Sequence, residues 1–141
     1  MRNIIYIVAV MLLIKISIID VKQKIIPDRL NLIVGLLGIF NLILNFKNCK
    51  IYIASAAITF AVFLFLAIIT NGGIGGGDIK LFTGLGLIFG LKIIEVVAVT
   101  FTLAAIISIM AGLKRKNKNI ALGPYICAGV LFVIVKNLYI S

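Results

Sequence analysis

IYIASAAITFAVFLFLAIIT, residues 51–70, is an apolar stretch without a single charged side chain. A helix of about 20 mostly apolar residues is what crosses a hydrocarbon core of about 30 Å. Five further apolar runs lie at Ile4–Ile19, Leu30–Leu44, Ile79–Leu91, Ile93–Leu113 and Ile120–Ile140. The sequence therefore predicts an all-α protein, a polytopic membrane helix bundle with about six transmembrane helices. The second and fourth runs are short, so we expect them to thin the bilayer, to recruit flanking residues or to lie partly inside the bundle.

Composition supports a membrane protein and excludes several kinds of site. Hydrophobic residues make up 63% of the 141 residues and charged residues 13%, whereas a soluble domain is about a quarter charged. Histidine is absent, which excludes histidine-dependent catalytic triads and histidine-ligated zinc. The two cysteines, Cys49 and Cys127, form no CxxC motif. We expect one integral-membrane domain over residues 1–141, with no cofactor and no metal.

The net charge of +10 reflects membrane topology and not nucleic-acid binding, because the cations lie in short gaps between apolar runs. With the N-terminus outside, eight lysines and arginines fall in the inner loops and five in the outer ones. The inner set is Lys22, Lys24, Arg29, Lys80, Lys114, Arg115, Lys116 and Lys118. We therefore expect a multi-pass protein of the cell (inner or plasma) membrane whose positive loops touch anionic lipid.

Only four acidic residues occur, Asp20, Asp28, Asp78 and Glu95, and acids at membrane depth are costly and usually functional. Asp20 ends the first apolar run, where a carboxylate faces the unfavourable negative end of the helix dipole. Asp78 follows the glycine-rich residues 71–77, NGGIGGG. Helix capping would explain the acid but not the glycines, which allow another peptide to approach the backbone closely. Both acids are candidate functional residues, with a solvated helix end and a helix cap as the simpler alternatives.

The other two acids have ordinary explanations. Asp28 follows Pro27 at the start of the second apolar run, a combination typical of helix initiation. Glu95 is expected at the outer surface near Lys92, and we assign it no chemistry.

The predicted topology puts Asp20 and Asp78 at the same membrane surface, at the ends of neighbouring spans. Two carboxyl groups held close together cannot both ionise easily, so they share a proton. The ionised acid can then take a proton from water while the protonated acid polarises a scissile carbonyl. The pair is thus suited to peptide hydrolysis.

Two other functions use the same residues. In a small proton- or cation-coupled transporter, Asp20 and Asp78 would be ion sites, although such sites normally lie near the bilayer midplane. In a non-catalytic subunit of a secretion machine, the acids would serve only as caps and topology markers.

Three segments resemble one known family, the type IV prepilin peptidases, which are aspartic proteases of the inner membrane. Residues 75–80, GGGDIK, are similar to the family's GxGDxK motif. Asp20 followed by Ile26-Pro27-Asp28 resembles the other aspartate block, with Asp28 where the family has asparagine. Residues 121–125, ALGPY, resemble its proline-containing segment before the last span.

The resemblance implies a membrane-embedded aspartic endopeptidase with Asp20 and Asp78 as the catalytic pair. Gly75 and Gly77 would shape the loop that holds Asp78, Lys80 is the motif lysine, and Pro27 belongs to the supporting turn. Family members cleave the basic leader from type IV prepilin-like precursors at the cytoplasmic face, just before the precursor's apolar helix. The implied partners are such a precursor and membrane lipids, with no nucleic acid. Larger members carry a segment with paired CxxC motifs and some N-methylate the product. This sequence lacks that segment, so methyltransferase activity is not expected.

Overall fold

The computed structural model describes residues 2–110 and 121–140, and these form helices without any strand. There are six α-helices in this part of the chain: α1 (Arg2–Gln23), α2 (Asp28–Leu44), α3 (Cys49–Ile69), α4 (Gly76–Phe89), α5 (Ile93–Met110) and α6 (Gly123–Ile140). Short 3-10 turns at Phe46–Asn48 and Gly90–Lys92 precede α3 and α5. The predicted all-α bundle is confirmed. The cation cluster at residues 114–118 lies outside the described residues.

The helices have the length and surface of a membrane protein. Within the described residues, Asn3–Gln23, Phe46–Ile69 and Gly76–Met110 are long and apolar enough to cross a membrane, and Gly123–Tyr139 is a shorter apolar helix. Large apolar side chains such as Met11 and Ile58 are exposed on the outside of the bundle. Such a surface is stable against lipid and not against water.

Helix α4 lies at the centre of the bundle. Its 14 residues reach about 21 Å, less than the hydrocarbon core, as expected for the short fourth run. Neighbouring helices approach it closely where it carries glycine. A Cβ on Gly84 would lie 3.0 Å from Val34 Cγ1 of α2, and one on Gly86 would lie 2.9 Å from Ala56 Cα of α3. Small residues allow the helices to approach closely and to form van der Waals contacts. In lipid these contacts matter because no hydrophobic effect drives helices together.

Two asparagines join α2 to α4 along their parallel lengths. Asn31, near the start of α2, donates from Nδ2 to the Gly77 carbonyl at 3.1 Å. Asn41, near the end of α2, donates to the Leu87 carbonyl at 3.0 Å. The start of α2 contacts the start of α4, and the end of α2 contacts the end of α4, so both helices begin at the same end of the bundle. Gly90, with φ of +58°, then ends α4 and turns the chain into α5.

Helices α1 and α6 run antiparallel to each other. The backbone of Gly123, which begins α6, bonds to Asp20 near the end of α1. At the opposite end of the bundle, Tyr6 of α1 stacks on Phe89, the last residue of α4, with ring centroids 5.0 Å apart. The end of α1 and the starts of α2, α4 and α6 therefore share one end of the bundle.

Glu95 forms an ion pair with a residue of another helix. Glu95 Oε2 pairs with Lys136 Nζ of α6 at 2.9 Å, whereas Lys92 donates to the side chain of Asn137. Both contacts tie the start of α5 to the end of α6, at the end of the bundle opposite Asp20 and Asp78.

Candidate active site

Asp20 lies inside α1, which continues past the predicted boundary at Ile19 to Gln23. Its side chain is only 5% exposed, and its Oδ2 accepts a hydrogen bond of 2.7 Å from the Gly123 N–H. Gly123 is the first residue of α6, so the carboxylate meets the N–H groups that a helix leaves unpaired at its start. A carboxylate at the unfavourable end of one helix is thus stabilised by the favourable end of another.

The backbone of the same residue closes α1. Lys24 adopts a left-handed conformation with φ of +53°, and its N–H donates to the Asp20 carbonyl at 2.7 Å. This is the hydrogen bond of a left-handed helix cap. Because α1 ends at Gln23, Asp20 lies in its last turn, at the rim of the bundle.

Gly123 has no space for a side chain. A Cβ there would lie 2.9 Å from Asp20 Oδ2 and 3.2 Å from Ser17 Cα. The sequence analysis noted residues 121–125 only as a resemblance and assigned them no function. The pair Gly123-Pro124, at the start of an apolar run, is the sequence signal for a helix that begins there.

Asp78 is the third residue of α4 and is half-buried. The helix cap is Gly75, and the Asp78 N–H donates to the Gly75 carbonyl at 3.0 Å. The Asp78 carboxylate folds back over this residue, because a Cβ on Gly75 would lie 3.2 Å from Oδ2. The acid therefore occupies the first turn, where a helix dipole favours it, and is not the N-cap residue.

The glycine-rich loop has two separate functions. Asn71 and Gly72, with φ of +50° and +85°, end α3 in a Schellman arrangement in which the Gly72 N–H donates to the Ala67 carbonyl at 2.8 Å. Gly77 instead allows close approach, since a Cβ there would lie 3.0 Å from Ile26 Cβ. Through this contact the segment before α2 packs against the segment that carries Asp78.

The start of α2 makes two further contacts with the start of α4. Asn31 Nδ2 bonds to the Gly77 carbonyl at 3.1 Å, and Asp28 Oδ1 pairs with Lys80 Nζ at 2.7 Å. Pro27 is the N-cap residue of α2, with φ of −63°, and Asp28 is in the first turn, as the helix-initiation interpretation predicts. The sequence pattern alone predicts neither the Asp28–Lys80 pair nor a function for Asn31.

The fold brings Asp20 and Asp78 to the same end of the bundle, near enough for their carboxylates to interact electrostatically. Two ionised carboxylates repel each other when they lie close together. Lys80 is directed to Asp28 instead of this pair. Across residues 2–110 and 121–140, no three His, Cys, Asp or Glu side chains cluster in a way that could hold a metal ion.

The bundle also contains a cavity outside this site. It has a volume of about 760 Å³ and lies between α1 and α6, with Tyr6, Val10 and Ile134 among its lining residues. These residues belong to the end opposite the two aspartates, so the cavity is not part of this site.

Comparison with known proteins identifies one family. Residues 7–113, which contain both Asp20 and Asp78, match the sequence model of the type IV leader peptidase family. Prepilin leader peptidase/N-methyltransferase from Bacillus subtilis is 30% identical over 131 residues, covering 87% of this chain and 52% of that protein. Prepilin peptidase EppA from Methanocaldococcus jannaschii is 30% identical over 152 residues, covering 97% of this chain and 42% of that protein.

The chain thus spans about half the length of these curated relatives. No solved structure matches it. Because the family match extends over most of the chain and includes both aspartates, the chain belongs to the type IV leader peptidase family.

Proposed function

We propose that this protein is a membrane-embedded aspartic endopeptidase that removes the leader peptide from type IV prepilin-like precursors. One observation supports this most strongly. In a chain of this family, Asp20 and Asp78 come from different helices, lie at one end of the bundle and interact electrostatically. The proposal treats residues 1–141 as one catalytic domain.

The two carboxyl groups act as one acid–base unit. The ionised member takes a proton from a water molecule, whose oxygen attacks the scissile carbonyl carbon, while the protonated member donates to the carbonyl oxygen. The tetrahedral gem-diol intermediate collapses and the C–N bond breaks. The leaving nitrogen takes the proton that the first carboxylate took from water, and a gem-diol hydroxyl returns a proton to the second carboxylate, so the pair regains its starting state. Because the protons belong to the pair, neither residue is assigned alone as the base. Because Oδ2 of Asp20 accepts the hydrogen bond from the Gly123 N–H, we assign the water molecule to Oδ1.

The cytoplasmic face is the proposed site of cleavage. The end of the bundle that carries the two aspartates also carries Lys22, Lys24 and Arg29, and cytoplasmic loops are enriched in such residues. These cations repel a basic leader, so we assign binding to the two acids and to packing of the precursor's apolar helix against the bundle. Membrane lipids are the other partner in this proposal, whereas nucleic acid and methyl transfer have no part in it.

The position of the acids favours a peptidase over a transporter. A coupled transporter needs its ion sites near the bilayer midplane, with access from both sides. Asp20 lies in the last turn of α1, and Asp78 lies in the first turn of α4. Both positions belong to one rim of the bundle, where the leader of a membrane-anchored precursor is accessible.

The direct test is cleavage of a pilin-like precursor by the purified chain in detergent. Asp20→Asn and Asp78→Asn are each expected to abolish cleavage while the protein stays folded. Either change leaves one carboxyl group, so no pair remains to share a proton. Glu95→Gln, at the opposite end of the bundle, is the matched control and should cleave as the wild type does. Normal cleavage by either aspartate variant would contradict the proposal.

A further inference from the structure

Asn31 is a buried polar side chain whose amide nitrogen is hydrogen-bonded and whose amide oxygen has no partner among the described residues. It is 6% exposed, and its Nδ2 donates to the Gly77 carbonyl at 3.1 Å. Its Oδ1 is buried and has no hydrogen-bond partner among the described residues. Burying an amide oxygen without a partner costs free energy. Asn31 is therefore a poor choice for stability alone, since an apolar side chain would avoid this cost.

Asn41 provides an internal comparison on the same helix. It is 1% exposed and also donates to carbonyls of α4, those of Leu87 and Ile88. Its Oδ1, however, accepts a hydrogen bond of 2.9 Å from Asn45 Nδ2. Both asparagines join α2 to α4, but only the one beside Asp78 is left incompletely bonded. The difference separates an amide that stabilises the fold from one retained at a cost.

The bond from Asn31 acts on the residue that precedes Asp78. Gly77 has Ile26 against it, so that even a Cβ would lie 3.0 Å from Ile26 Cβ. Packing against Ile26 limits how closely α4 approaches the segment before α2, but this packing is not directional. The Asn31–Gly77 hydrogen bond supplies a buried directional contact between the first turns of α2 and α4, whereas the Asp28–Lys80 pair between the same turns is exposed.

We propose that Asn31 is a positioning residue, whose hydrogen bond to the Gly77 carbonyl holds Asp78 in register with Asp20. The inference rests on the proposed function, because it gives Asn31 a role only through the two aspartates. Among the described residues, Asn31 makes its side-chain hydrogen bond to the Gly77 carbonyl and to neither carboxylate, so it is not a catalytic residue. It acts on the geometry of the pair, and acid–base catalysis loses rate steeply when reacting groups are displaced by about 1 Å.

The test compares Asn31→Leu and Asn31→Ala with Asn41→Leu in the full chain in detergent. Both Asn31 variants are expected to lower kcat by about 10- to 100-fold with KM changed by less than about twofold. Removing the unbonded oxygen should leave the unfolding temperature of Asn31→Leu unchanged or higher. Asn41→Leu should show the reverse, a lower unfolding temperature with kcat within about twofold of wild type. Alanine serves as the second variant in case leucine does not fit.

A second measurement does not depend on turnover. Amide hydrogen exchange of residues 75–80 should become faster in the Asn31 variants and stay unchanged in Asn41→Leu. Wild-type kcat and exchange in both Asn31 variants would overturn the inference and leave the proposed function intact. A fall in kcat matched by an equal loss of folded protein would also overturn it, because that is a structural role. A wild-type chain that fails to cleave any pilin-like precursor would instead overturn the proposed function, and the inference with it.

Discussion

The carboxylate of Asp20 accepts a hydrogen bond of 2.7 Å from the backbone N–H of Gly123, 103 residues later in the chain. This contact joins the last turn of α1 to the first residue of α6. It places a buried carboxylate against a helix N-terminus, the position at which backbone dipoles favour a negative charge. The structure of the proposed catalytic pair therefore depends on the last helix as well as on the two aspartate segments.

Substitution of Gly123 should test this contact. Gly123→Ala is expected to lower both stability and cleavage, because the new Cβ would lie 2.9 Å from Asp20 Oδ2. Overpacking of this kind costs about 1–3 kcal/mol in the free energy of unfolding. Thermal unfolding in detergent and the rate of precursor cleavage measure the two effects.

Gly35→Ala is the control for that experiment. Apart from its chain neighbours and its own helix backbone, no atom of the described residues lies within 4 Å of a Cβ placed on Gly35, which is also within a helix. Alanine there should leave the unfolding temperature unchanged or raise it, since alanine is favoured over glycine in a helix by about 1 kcal/mol. Equal effects of the two substitutions would contradict a specific function for Gly123.

Two adjacent glycines in the glycine-rich loop should behave differently. Gly77→Ala is expected to reduce cleavage strongly, because its Cβ would lie 3.0 Å from Ile26 Cβ and would push Asp78 away from its position. Gly76→Ala should retain cleavage, since a Cβ there would meet no atom within 4 Å in the part of the chain that the structure describes, its chain neighbours and own helix backbone aside. Initial rates of precursor cleavage, compared at equal amounts of folded protein, decide the matter. Equal loss in both variants would indicate that the loop needs glycine for flexibility and not for close approach.

The Asp28–Lys80 pair should contribute little to stability. The atoms lie 2.7 Å apart, but both side chains are exposed, and exposed ion pairs typically contribute about 0.2–1 kcal/mol. A double-mutant cycle with Asp28→Asn and Lys80→Gln, followed by chemical unfolding, should give a coupling energy in that range. High salt should weaken it. A coupling energy well above the range, or one insensitive to salt, would show that the pair is less solvated than its exposure indicates.

Much of the architecture follows from local patterns. Apolar runs predict the helices because a segment in lipid must satisfy its own backbone hydrogen bonds. The short fourth run correctly indicates a helix inside the bundle, and the proline before Asp28 correctly indicates the start of α2. The rarity of acids directs attention to Asp20 and Asp78, since a charge at membrane depth requires a reason.

Contacts between distant segments have no such local signal. Gly123 reads as an ordinary helix start, and Asn31 as one polar residue in an apolar run. Their importance depends on which helices become neighbours and in what register. The pairing of Glu95 with Lys136, 41 residues later in the chain, has the same origin.

The amino-acid sequence by itself determined that this is a membrane helix bundle, which segments form its helices, and which two acids need an explanation. These properties depend on hydrophobicity and spacing along one segment at a time. Only the tertiary structure decided that a backbone N–H from α6 holds Asp20 and that Asn31 holds the loop before Asp78. Helix packing brings those groups within hydrogen-bond distance. Such packing requires small residues at the contact, and whether two helices fit depends on both of their surfaces and not on either sequence segment alone.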